Sequence, residues 1–291
     1  MGRVHRQHHT GIFASVSKTA FDSILDRLSG ETRIVPVIGH PVVQVKSPAA
    51  LTAGFFEQGR NTLCIPMDVE AAHLDVTLAA LAAIQNLDGI VVTVPHKMTA
   101  VAACATLTER ARFIGAVNVI RRGADGSLHG DMCDGEGFVA AARQKEALFP
   151  RSKALLLGAG GAGSAVAHAM AQAGVAKLAI AEVDANRRDD LIGRLRGAGH
   201  DAVAHDGGGL ADFSVIVNAS PIGMNSTKSP MSLEGIKPDC FVGDVVTRPE
   251  VTAFIEDARA RGCLTATGTD MYKAVAKLIL TFLARNGEAV L

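Results

Sequence analysis

The sequence predicts an α/β protein in two domains, with a mainly parallel sheet in the N-terminal domain. The chain has 291 residues, more than the usual length of one domain, and chains of this size commonly divide around separate cores. From Ile34 onward, short β-branched runs alternate with alanine-rich helical patterns, which is typical of βαβ units. Hydrophobic residues make up 48% of the chain, enough to form a sizeable core.

The first half of the chain carries four predicted strands with helices between them. The strands are expected at residues 34–38, 63–67, 89–93 and 117–120. Helices are predicted after Ser47, over residues 71–84 and following Lys97. Pro48 suits the first turn of a helix, and Ser47 is placed to cap it.

The second half repeats the alternation with clearer boundaries. Strands are predicted at residues 154–157, 177–181, 215–217, 241–246 and 264–267. Helices are predicted at residues 161–173, 187–196, 250–261 and 271–284. The last of these is amphipathic, so it should pack one face against a core.

Composition and charge exclude several classes of function. The 29 Lys and Arg residues equal the 29 Asp and Glu residues, and the chain has one tyrosine and no tryptophan, which argues against a nucleic-acid partner. No apolar run is long enough to span a membrane. Five scattered cysteines without a CxxC pair predict neither disulfides nor a zinc site. We therefore expect a cytoplasmic protein that acts on a small molecule and binds no metal.

Residues 1–31 are predicted to form an N-terminal extension. They lack the apolar segment that a secretory signal requires. His5, His8 and His9 are metal-ligand types, but their irregular spacing near a terminus favours a solvated tail.

A glycine-rich turn is the strongest local signal. A GxGxxG spacing, Gly158, Gly160 and Gly163, lies directly after a predicted buried strand and before an alanine-rich helix. Such a turn brings backbone amides to a pyrophosphate at the helix N-terminus. The context predicts a Rossmann-type dinucleotide-binding domain. The residues expected to line this part of the site are Gly158, Ala159, Gly160, Gly161 and Ala162.

The next strand ends in acidic residues that predict the choice of dinucleotide. Glu182 and Asp184 are each placed to accept hydrogen bonds from the ribose hydroxyls of NAD. A 2′-phosphate beside either carboxylate would be repelled, by about 4 kcal/mol per charge pair at an effective dielectric of 20. NAD should therefore be preferred over NADP. Arg187 and Arg188 leave an alternative open, because an arginine there is able to pair with a 2′-phosphate.

Two further polar positions are candidates for proton transfer. Lys97 lies just beyond the end of a buried strand, where open α/β sheets bind their ligands. Asp134 lies in a glycine-rich turn before a helix. Taken alone, each is more typical of a solvated lysine and a turn aspartate. His96, next to Lys97, should point to the opposite side.

The order and spacing of these segments resemble the shikimate/quinate dehydrogenase family from Ile34 to the C-terminus. The resemblance rests on several ordered motifs: Gly39-His40-Pro41-Val42, Lys46-Ser47-Pro48, Thr93-Val94-Pro95-His96-Lys97, Gly115-Ala116-Val117-Asn118, Gly130 with Asp134-Gly135, the glycine loop, Asn218-Ala219-Ser220-Pro221-Ile222-Gly223-Met224, Asp244-Val245-Val246 with Pro249, and Gly268 with Met271. Several motifs in one order are far more specific than any one of them.

The resemblance implies roles for individual residues. Lys97 and Asp134 would form the catalytic pair, with the lysine as the proton-transfer group. Substrate hydroxyls would contact Ser47, Thr93 and Asn118. The cofactor site would be lined by Gly160, Gly161, Ala162, Glu182, Asp184, Val245 and Gly268.

Departures from the family pattern concern the substrate pocket. Several positions that are polar in members that use shikimate differ in this chain. Those members typically carry serine at the position of Val45, asparagine at that of Val91, Asn-Thr at those of Met132-Cys133, tyrosine at that of Thr247 and glutamine at that of Val275. Each lost hydrogen bond is worth about 1 kcal/mol. We therefore expect weak binding of shikimate and a less polar or differently substituted substrate.

The glycine turn and the acids after it predict an NAD-preferring protein. The resemblance implies an oxidoreductase that transfers hydride reversibly between nicotinamide and a secondary alcohol or ketone of a shikimate- or quinate-like cyclic acid, the chemistry of aromatic amino acid biosynthesis. Residues 32–131 with 269–291 would form the substrate-binding and catalytic domain, and residues 132–268 the dinucleotide-binding domain. A monomer or homodimer is expected.

Three alternatives remain. They are quinate or shikimate dehydrogenase proper, a related lysine-dependent dehydrogenase acting on a folate carbon, and a non-catalytic NAD-binding sensor with a decayed pocket. Asp134-Gly135 and Lys46-Ser47-Pro48 disfavour the folate enzyme, and the presence of both Lys97 and Asp134 disfavours the sensor.

Overall fold

The computed structural model describes residues 25–43 and 45–284, and over these residues the chain forms two six-stranded sheets with helices packed against them. The extension through residue 24, with His5, His8 and His9, lies outside the described residues, and so do residue 44 and residues 285–291. Expectations about those segments stay predictions.

The two sheets come from successive parts of the chain. The first contains β1 (Arg33–Gly39), β2 (Thr62–Asp68), β3 (Gly89–Val92), β4 (Thr106–Leu107), β5 (Val119–Arg122) and β6 (Leu128–Asp131). The second contains β7 (Lys153–Leu157), β8 (Lys177–Ala181), β9 (Ala202–Ala204), β10 (Val215–Asn218), β11 (Phe241–Asp244) and β12 (Leu264–Ala266). The helices are α1 (Ser47–Glu57), α2 (Leu74–Ala82), α3 (Glu109–Ile114), α4 (Asp134–Gln144), α5 (Gly161–Gln172), α6 (Ala185–Gly197), α7 (Ala253–Ala260) and α8 (Gly268–Ala284).

The second sheet has the strand order of a Rossmann fold. Its strands run β9, β8, β7, β10, β11, β12 across the sheet, and every pair is parallel. The central strands are apolar on both faces because helices cover both faces, and Leu155, Leu156 and Ile216 are fully buried. The predicted Rossmann-type fold is confirmed. Ligands of such sheets bind at the carboxyl ends of the strands, where the order reverses between β7 and β10.

The first sheet is mixed. Strand β1 runs parallel to β2 and β3, and β4 runs parallel to β6, whereas β5 is antiparallel to both β3 and β6. The reason lies in the short turn between β5 and β6, where the Gly123 amide donates to the Ser127 carbonyl at 2.7 Å. A parallel pair needs a much longer crossover, so these two strands pair as a hairpin.

The chain after Lys97 differs from the predicted helix. Residues Thr99–Ala103 form only a short 3-10 helix. Helix α3 begins later, at Glu109, where the side chain of Thr108 accepts a hydrogen bond from the Ala111 amide at 3.3 Å. Strands β4, β6 and β9 are not predicted from sequence, because each is short and contains at most one β-branched residue.

Helix α4 packs closely against two other helices. A β-carbon at Gly135 would overlap the carbonyl oxygen of Ala165 on α5. A β-carbon at Gly137 would overlap the side chain of Val275 on α8. Glycine at both positions therefore permits these close contacts. Asp134, the first residue of α4, lies where the parts of the chain that build the two sheets meet.

The hydrophobic core is continuous between the two sheets. Val35 of β1 and Leu156 of β7 belong to one cluster of buried side chains. Helix α8 also packs on α1, where a β-carbon at Gly54 would overlap the Leu280 side chain. The boundary between the two predicted domains stays a prediction. Among the helices of the described ranges, residues 25–43 and 45–284, none has the length and the apolar character that crossing a bilayer requires.

Candidate active site

Lys97 and Asp134 come together although they lie far apart in the chain. Lys97 is in the turn after β3, and Asp134 begins α4. The lysine Nζ donates a hydrogen bond to Oδ2 of Asp134 at 2.6 Å. The exposed fractions of the two side chains are 20% for Lys97 and 9% for Asp134, so the lysine is the more accessible of the two to solvent. An ammonium group has three donors, which leaves Nζ able to contact a substrate oxygen as well.

Asn118 holds the second oxygen of Asp134. Its Nδ2 donates to Oδ1 of Asp134 at 2.7 Å, and its own Oδ1 accepts a hydrogen bond from the backbone amide of Cys133 at 2.9 Å. Asn118 is buried, with 3% of its surface exposed. Both oxygens of Asp134 are therefore held by donors. Contact of Asn118 with a substrate hydroxyl stays a prediction, and its contact with Asp134 is a finding of the structure.

A buried ion pair supports the turn that carries Asp134. Arg110 donates from Nε to Oδ1 of Asp131 at 2.8 Å and from Nη2 to Oδ2. The same carboxylate accepts hydrogen bonds from the Thr108 hydroxyl at 2.6 Å and the Met132 amide at 2.7 Å. Burial raises the pKa of Asp131, but these hydrogen bonds and the arginine charge outweigh it, and the pKa is lowered overall.

Sequence reasoning does not find this ion pair. Asp131 stands out in the sequence only as one acid of a glycine-rich turn, and Arg110 carries no local signal. The packing of α3 against β6 brings the two together, so no spacing rule would have paired them.

Three predicted pocket positions, Val45, Val91 and Val275, carry apolar side chains, and we call them the apolar wall. Val91 and Val275 belong to the same buried cluster as Cys133, and Val45 packs against it. Cys133 directly precedes Asp134, and the Val275 side chain lies against Gly137, one turn further along α4. Burial raises the pKa of the Cys133 thiol well above its ordinary value, with the Asp131 charge adding to the rise. The thiol is therefore neutral and is not a nucleophile.

The other predicted substrate contacts lie on different elements. Ser47 begins α1 and Thr93 directly follows β3, and both are half-buried. Thr247 comes after β11 of the second sheet and is also half-buried. His96 is buried, with Nε2 at 2.6 Å from the Val69 carbonyl oxygen, which fits the expectation that it points away from the site.

The glycine loop between β7 and α5 fits a dinucleotide. Gly158 has a φ of +100°, and a β-carbon there would lie 2.9 Å from the Ser220 amide nitrogen, so the position requires glycine. A β-carbon at Gly163 would overlap the Gly158 carbonyl oxygen. At Gly160 and Gly161, by contrast, nothing lies within 4 Å of a β-carbon, so the loop surface is open. The first amides of α5 have no acceptor within the helix and are placed to donate to a phosphate.

Glu182 and Asp184 follow β8 beside this loop. Glu182 accepts a hydrogen bond from the Ala159 amide at 2.8 Å and another from the Asp184 amide at 3.1 Å. Burial raises the pKa of Glu182, but these hydrogen bonds and the Arg187 charge outweigh it and lower the pKa overall. Asp184 caps α6 by accepting a hydrogen bond from the Asn186 amide at 3.0 Å.

The two arginines that follow are already paired. Arg187 lies between both acids, 3.7 Å from a Glu182 oxygen and 3.5 Å from an Asp184 oxygen. Arg188 pairs with Asp189 at 2.8 Å. At the end of β8, two carboxylates thus face one arginine, and the local charge is negative.

Val245 and Gly268 lie at the same edge of the second sheet as the glycine loop. The Val245 amide donates to the Asn218 carbonyl at 2.9 Å, and a β-carbon at Gly268 would overlap the Val246 carbonyl oxygen. Carboxyl ends of parallel strands share one edge, so the residues predicted to hold the dinucleotide lie along it. Within residues 25–43 and 45–284, no cluster of three or more His, Cys, Asp or Glu side chains is placed to hold a metal ion.

Comparison with known proteins gives consistent matches across the chain. Residues 37–120 match the family model described as the shikimate dehydrogenase substrate binding domain. The shikimate dehydrogenase (NADP(+)) of Rubrobacter xylanophilus is 38% identical over 248 residues, covering 83% of this chain and 87% of that protein. The structure of quinate dehydrogenase from Corynebacterium glutamicum in complex with NAD has a TM-score of 0.79 and 29% identity, covering 87% of this chain and 93% of that one. The ligand-free 5-ketofructose reductase of Gluconobacter sp. strain CHM43 has a TM-score of 0.81 and 26% identity, covering 89% and 95%.

Proposed function

Because this chain belongs to the shikimate/quinate dehydrogenase family and is an oxidoreductase that uses a nicotinamide cofactor, we propose that it is an NAD-preferring dehydrogenase for a shikimate- or quinate-like cyclic acid. The reaction interconverts a secondary alcohol and a ketone on that acid. The observation that carries the proposal is the hydrogen bond between Lys97 and Asp134 at 2.6 Å, where the parts of the chain that build the two sheets meet.

Lys97 is the proposed proton-transfer group. Nicotinamide, when bound, accepts or supplies the hydride. During oxidation the amine form of Lys97 takes the proton of the substrate hydroxyl and becomes the ammonium, and during reduction the ammonium gives that proton to the carbonyl oxygen and becomes the amine. Asp134 holds Nζ from one side, and Asn118 holds Asp134, so the lysine meets the substrate from a constant direction.

The substrate is proposed to be less polar than shikimate on the side that faces the apolar wall. Val91 and Val275 are 5% and 7% exposed and offer no hydrogen bond to a ring hydroxyl. Val45 adds a third apolar side chain to the same wall. A hydroxyl that faces this wall loses its partners in water, at about 1–3 kcal/mol for each unsatisfied group. A cyclic acid with fewer hydroxyls on that side avoids this cost.

The proposed preference for NAD rests on the charges after β8. Glu182 and Asp184 would face the additional phosphate of NADP, and Arg187 is already paired with both. Binding NADP would require Arg187 to leave these acids. The quinate dehydrogenase of Corynebacterium glutamicum is a relative whose structure contains NAD, whereas the Rubrobacter xylanophilus relative is named an NADP(+) enzyme. Glu182 and Asp184 favour NAD, the cofactor in the structure of the quinate dehydrogenase.

The test of the reaction is nicotinamide absorbance with NAD and NADP in parallel, against shikimate, quinate and less polar cyclic hydroxy acids. Turnover by the wild type should fall about 10²–10⁴-fold in Lys97→Ala, because proton transfer contributes that much. Lys177→Ala is the matched control. Lys177 is exposed and begins β8, at the end of the strand away from the carboxyl edge that the cofactor is proposed to occupy. Binding of NAD without turnover of any panel member would contradict the proposed reaction and favour a sensor.

The cofactor preference has its own test. The double variant Glu182→Gln with Asp184→Asn keeps the shape of both side chains and removes both charges. The ratio of kcat/KM with NAD to that with NADP should fall at least about tenfold, because repulsion is lost and Arg187 is released. Asp212→Asn, at an exposed acid of similar size, should leave the ratio unchanged. A wild type that already prefers NADP would show that the preference is wrong.

A further inference from the structure

A cavity of about 680 Å³ lies apart from the proposed active site. Its walls come from α3, the end of β6, α5, the residue after α6 and α8, so the first half, the second half and the last helix of the chain all contribute. Among the described residues that line it, none is predicted to act in catalysis or to bind substrate or cofactor. Cavities of about 300–1,000 Å³ between different parts of a fold are typical of small-molecule sites.

Aromatic and apolar side chains form much of the cavity wall. The Phe113 ring of α3 lies against the His168 ring of α5, with 4.4 Å between the ring centroids. Phe282 and Leu278 of α8 add further apolar surface. Aromatic side chains favour tilted or offset contacts with another ring. The shape and chemistry of this wall therefore suit a flat aromatic molecule.

Two polar groups of the wall have hydrogen-bonding capacity left. The His168 ring makes no hydrogen bond within residues 25–43 and 45–284, and its Nδ1 is buried. Arg110 donates from Nε and Nη2 to Asp131, whereas Nη1 has only a Glu136 oxygen at 3.7 Å, beyond hydrogen-bond length. Burial lowers the pKa of His168, so the ring is neutral at pH 7 and offers one donor and one acceptor. A ligand hydroxyl, which both donates and accepts, matches the imidazole and the guanidinium together.

The charges around the cavity nearly balance, which favours a neutral ligand. Glu109 and Asp131 are the acids of the wall, and Arg110 is its base. Arg121 and Arg194 lie over two of its aromatic rings, 5.1 and 5.7 Å from the ring centroids. A charged ligand would leave water for a place where both signs of charge are close, and no single counter-charge would offset the loss of hydration.

We propose that this cavity is a second ligand-binding site, which takes a neutral aromatic molecule that carries a hydroxyl group. The aromatic side chains of the wall contact the ring of the ligand, and its hydroxyl bonds to the His168 imidazole and to Nη1 of Arg110. This inference goes beyond the proposed function and does not depend on it. Arg110 also holds Asp131, three residues before Asp134, so the ligand contacts the support of the proposed catalytic turn.

The direct test is a titration with 2-naphthol, a neutral aromatic molecule with one hydroxyl. Its emission is measured without interference from tryptophan, because the chain has none. The charged compounds 2-naphthoate and 2-naphthylmethylamine keep the same rings. Each should bind at least about tenfold more weakly than 2-naphthol, because burying an unpaired charge is unfavourable. No saturable binding of 2-naphthol, or an equal or tighter affinity for either charged compound, would overturn the inference.

Two variants place the probe in the cavity. His168→Phe keeps a ring and removes both nitrogens, so it should weaken binding of 2-naphthol about three- to tenfold through the lost hydrogen bond. His205→Phe is the matched control, since the His205 ring packs on Phe213 away from the cavity wall, and it should keep the wild-type affinity. Ala198→Phe, at an exposed position of the wall, fills part of the cavity and should weaken binding at least about tenfold. Thermal unfolding shows that each variant is folded, and wild-type affinity in both His168→Phe and Ala198→Phe would show that 2-naphthol binds elsewhere.

Binding should be independent of the proposed active site. Saturating NAD should not displace 2-naphthol, and Lys97→Ala should bind it as the wild type does. In turnover assays 2-naphthol should not compete with NAD or with the cyclic acid. Displacement by NAD, or competition with either substrate, would place the probe in the proposed active site and overturn the second site. If no cyclic acid is turned over, the proposed function fails, while the titration and the variants still decide whether the second site exists.

Discussion

The side-chain carboxamide of Asn118 links the Asp134 carboxylate to the backbone that directly precedes it. One end donates to Asp134 and the other accepts from the Cys133 amide, so the residue ties the first turn of α4 to the start of β5. A hydrogen bond to a charged group is worth about 1.5–3 kcal/mol, more than one between neutral groups. The orientation of Asp134, and through it that of Lys97, depends on this contact.

Replacing Asn118 with alanine should lower both activity and stability. The variant leaves Oδ1 of Asp134 and the Cys133 amide without partners, which should cost about 1–3 kcal/mol of unfolding free energy. We expect kcat to fall at least about tenfold, because Asp134 no longer holds Lys97 in one direction. Steady-state kinetics and urea unfolding measure the two effects. Asn86→Ala, whose Nδ2 donates to the Thr32 carbonyl at 2.9 Å, should keep the wild-type kcat. A wild-type kcat in Asn118→Ala would show that the positioning role is wrong.

At the scale of elements, the contact between the glycine loop and α5 depends on the absence of a side chain. Gly163→Ala would place a methyl group on the Gly158 carbonyl oxygen and push α5 away from β7. We expect a loss of about 1–3 kcal/mol of unfolding free energy and at least about tenfold weaker NAD binding. Gly193→Ala is the matched control in α6, where nothing lies within 4 Å of the new β-carbon. It should stabilise the protein by about 0.5–1 kcal/mol and leave NAD binding unchanged. Calorimetry measures both, and equal NAD affinities would contradict the expectation.

The ion pair between Arg110 of α3 and Asp131 of β6 stabilises the protein to an extent that depends on pH, because the pKa of Asp131 is lowered in the folded state. The lowered pKa in the folded state means that the ion pair stabilises the protein above the unfolded pKa of about 3.9 and is lost as the pH falls through the folded value. Arg110→Met removes the partner of a side chain that is 1% exposed, at a cost of about 3–5 kcal/mol at pH 7.

The stability difference between wild type and Arg110→Met should narrow on acidification. Without the arginine the pKa of Asp131 rises, so the carboxyl group is protonated at a higher pH and no longer needs a counter-charge. Urea unfolding at pH 4.5 and pH 7.5 measures the difference. Arg259→Met, at an exposed arginine that donates to Thr265, should show no such trend. A difference that is constant with pH would contradict the assignment.

Elements with a clear period or a run of β-branched residues were predictable, and β4, β6 and β9, which lack such a run, were not. Strand β7 and helix α5 appear where the apolar run and the glycine loop predict them. The alanine-rich residues after Lys97 are predicted to form a helix. Only Thr99–Ala103 are helical there, and they form a 3-10 helix. Tertiary context overrides helix propensity there, since the chain must enter β4 within a few residues.

At the scale of the whole molecule, α4 and α8 couple the two sheets. Helix α4 packs on α5 and α8, and α8 reaches α1 of the first half, so neither sheet buries its core alone. We expect a single calorimetric unfolding transition despite the two predicted domains. NAD at about 100 times its Kd should stabilise the folded state by about 2.7 kcal/mol and raise Tm of that transition by about 5–10 °C. Two transitions, only one of them shifted by NAD, would show that the sheets unfold independently. Gly163→Ala, with weaker binding, should show a smaller shift.

The sequence by itself determined the α/β class and the position of the dinucleotide loop, and the resemblance to a known family indicated the lysine and aspartate that meet at the site. The first two depend on local patterns: a period of buried residues and glycines at a fixed spacing. Only the tertiary structure decided that Arg110 pairs with Asp131, that Asn118 holds Asp134 and that the Tyr272 hydroxyl lies beside Ser47. Each of these contacts joins residues far apart in the chain. Their geometry follows from how helices pack against one another and against strands, and no local spacing encodes it.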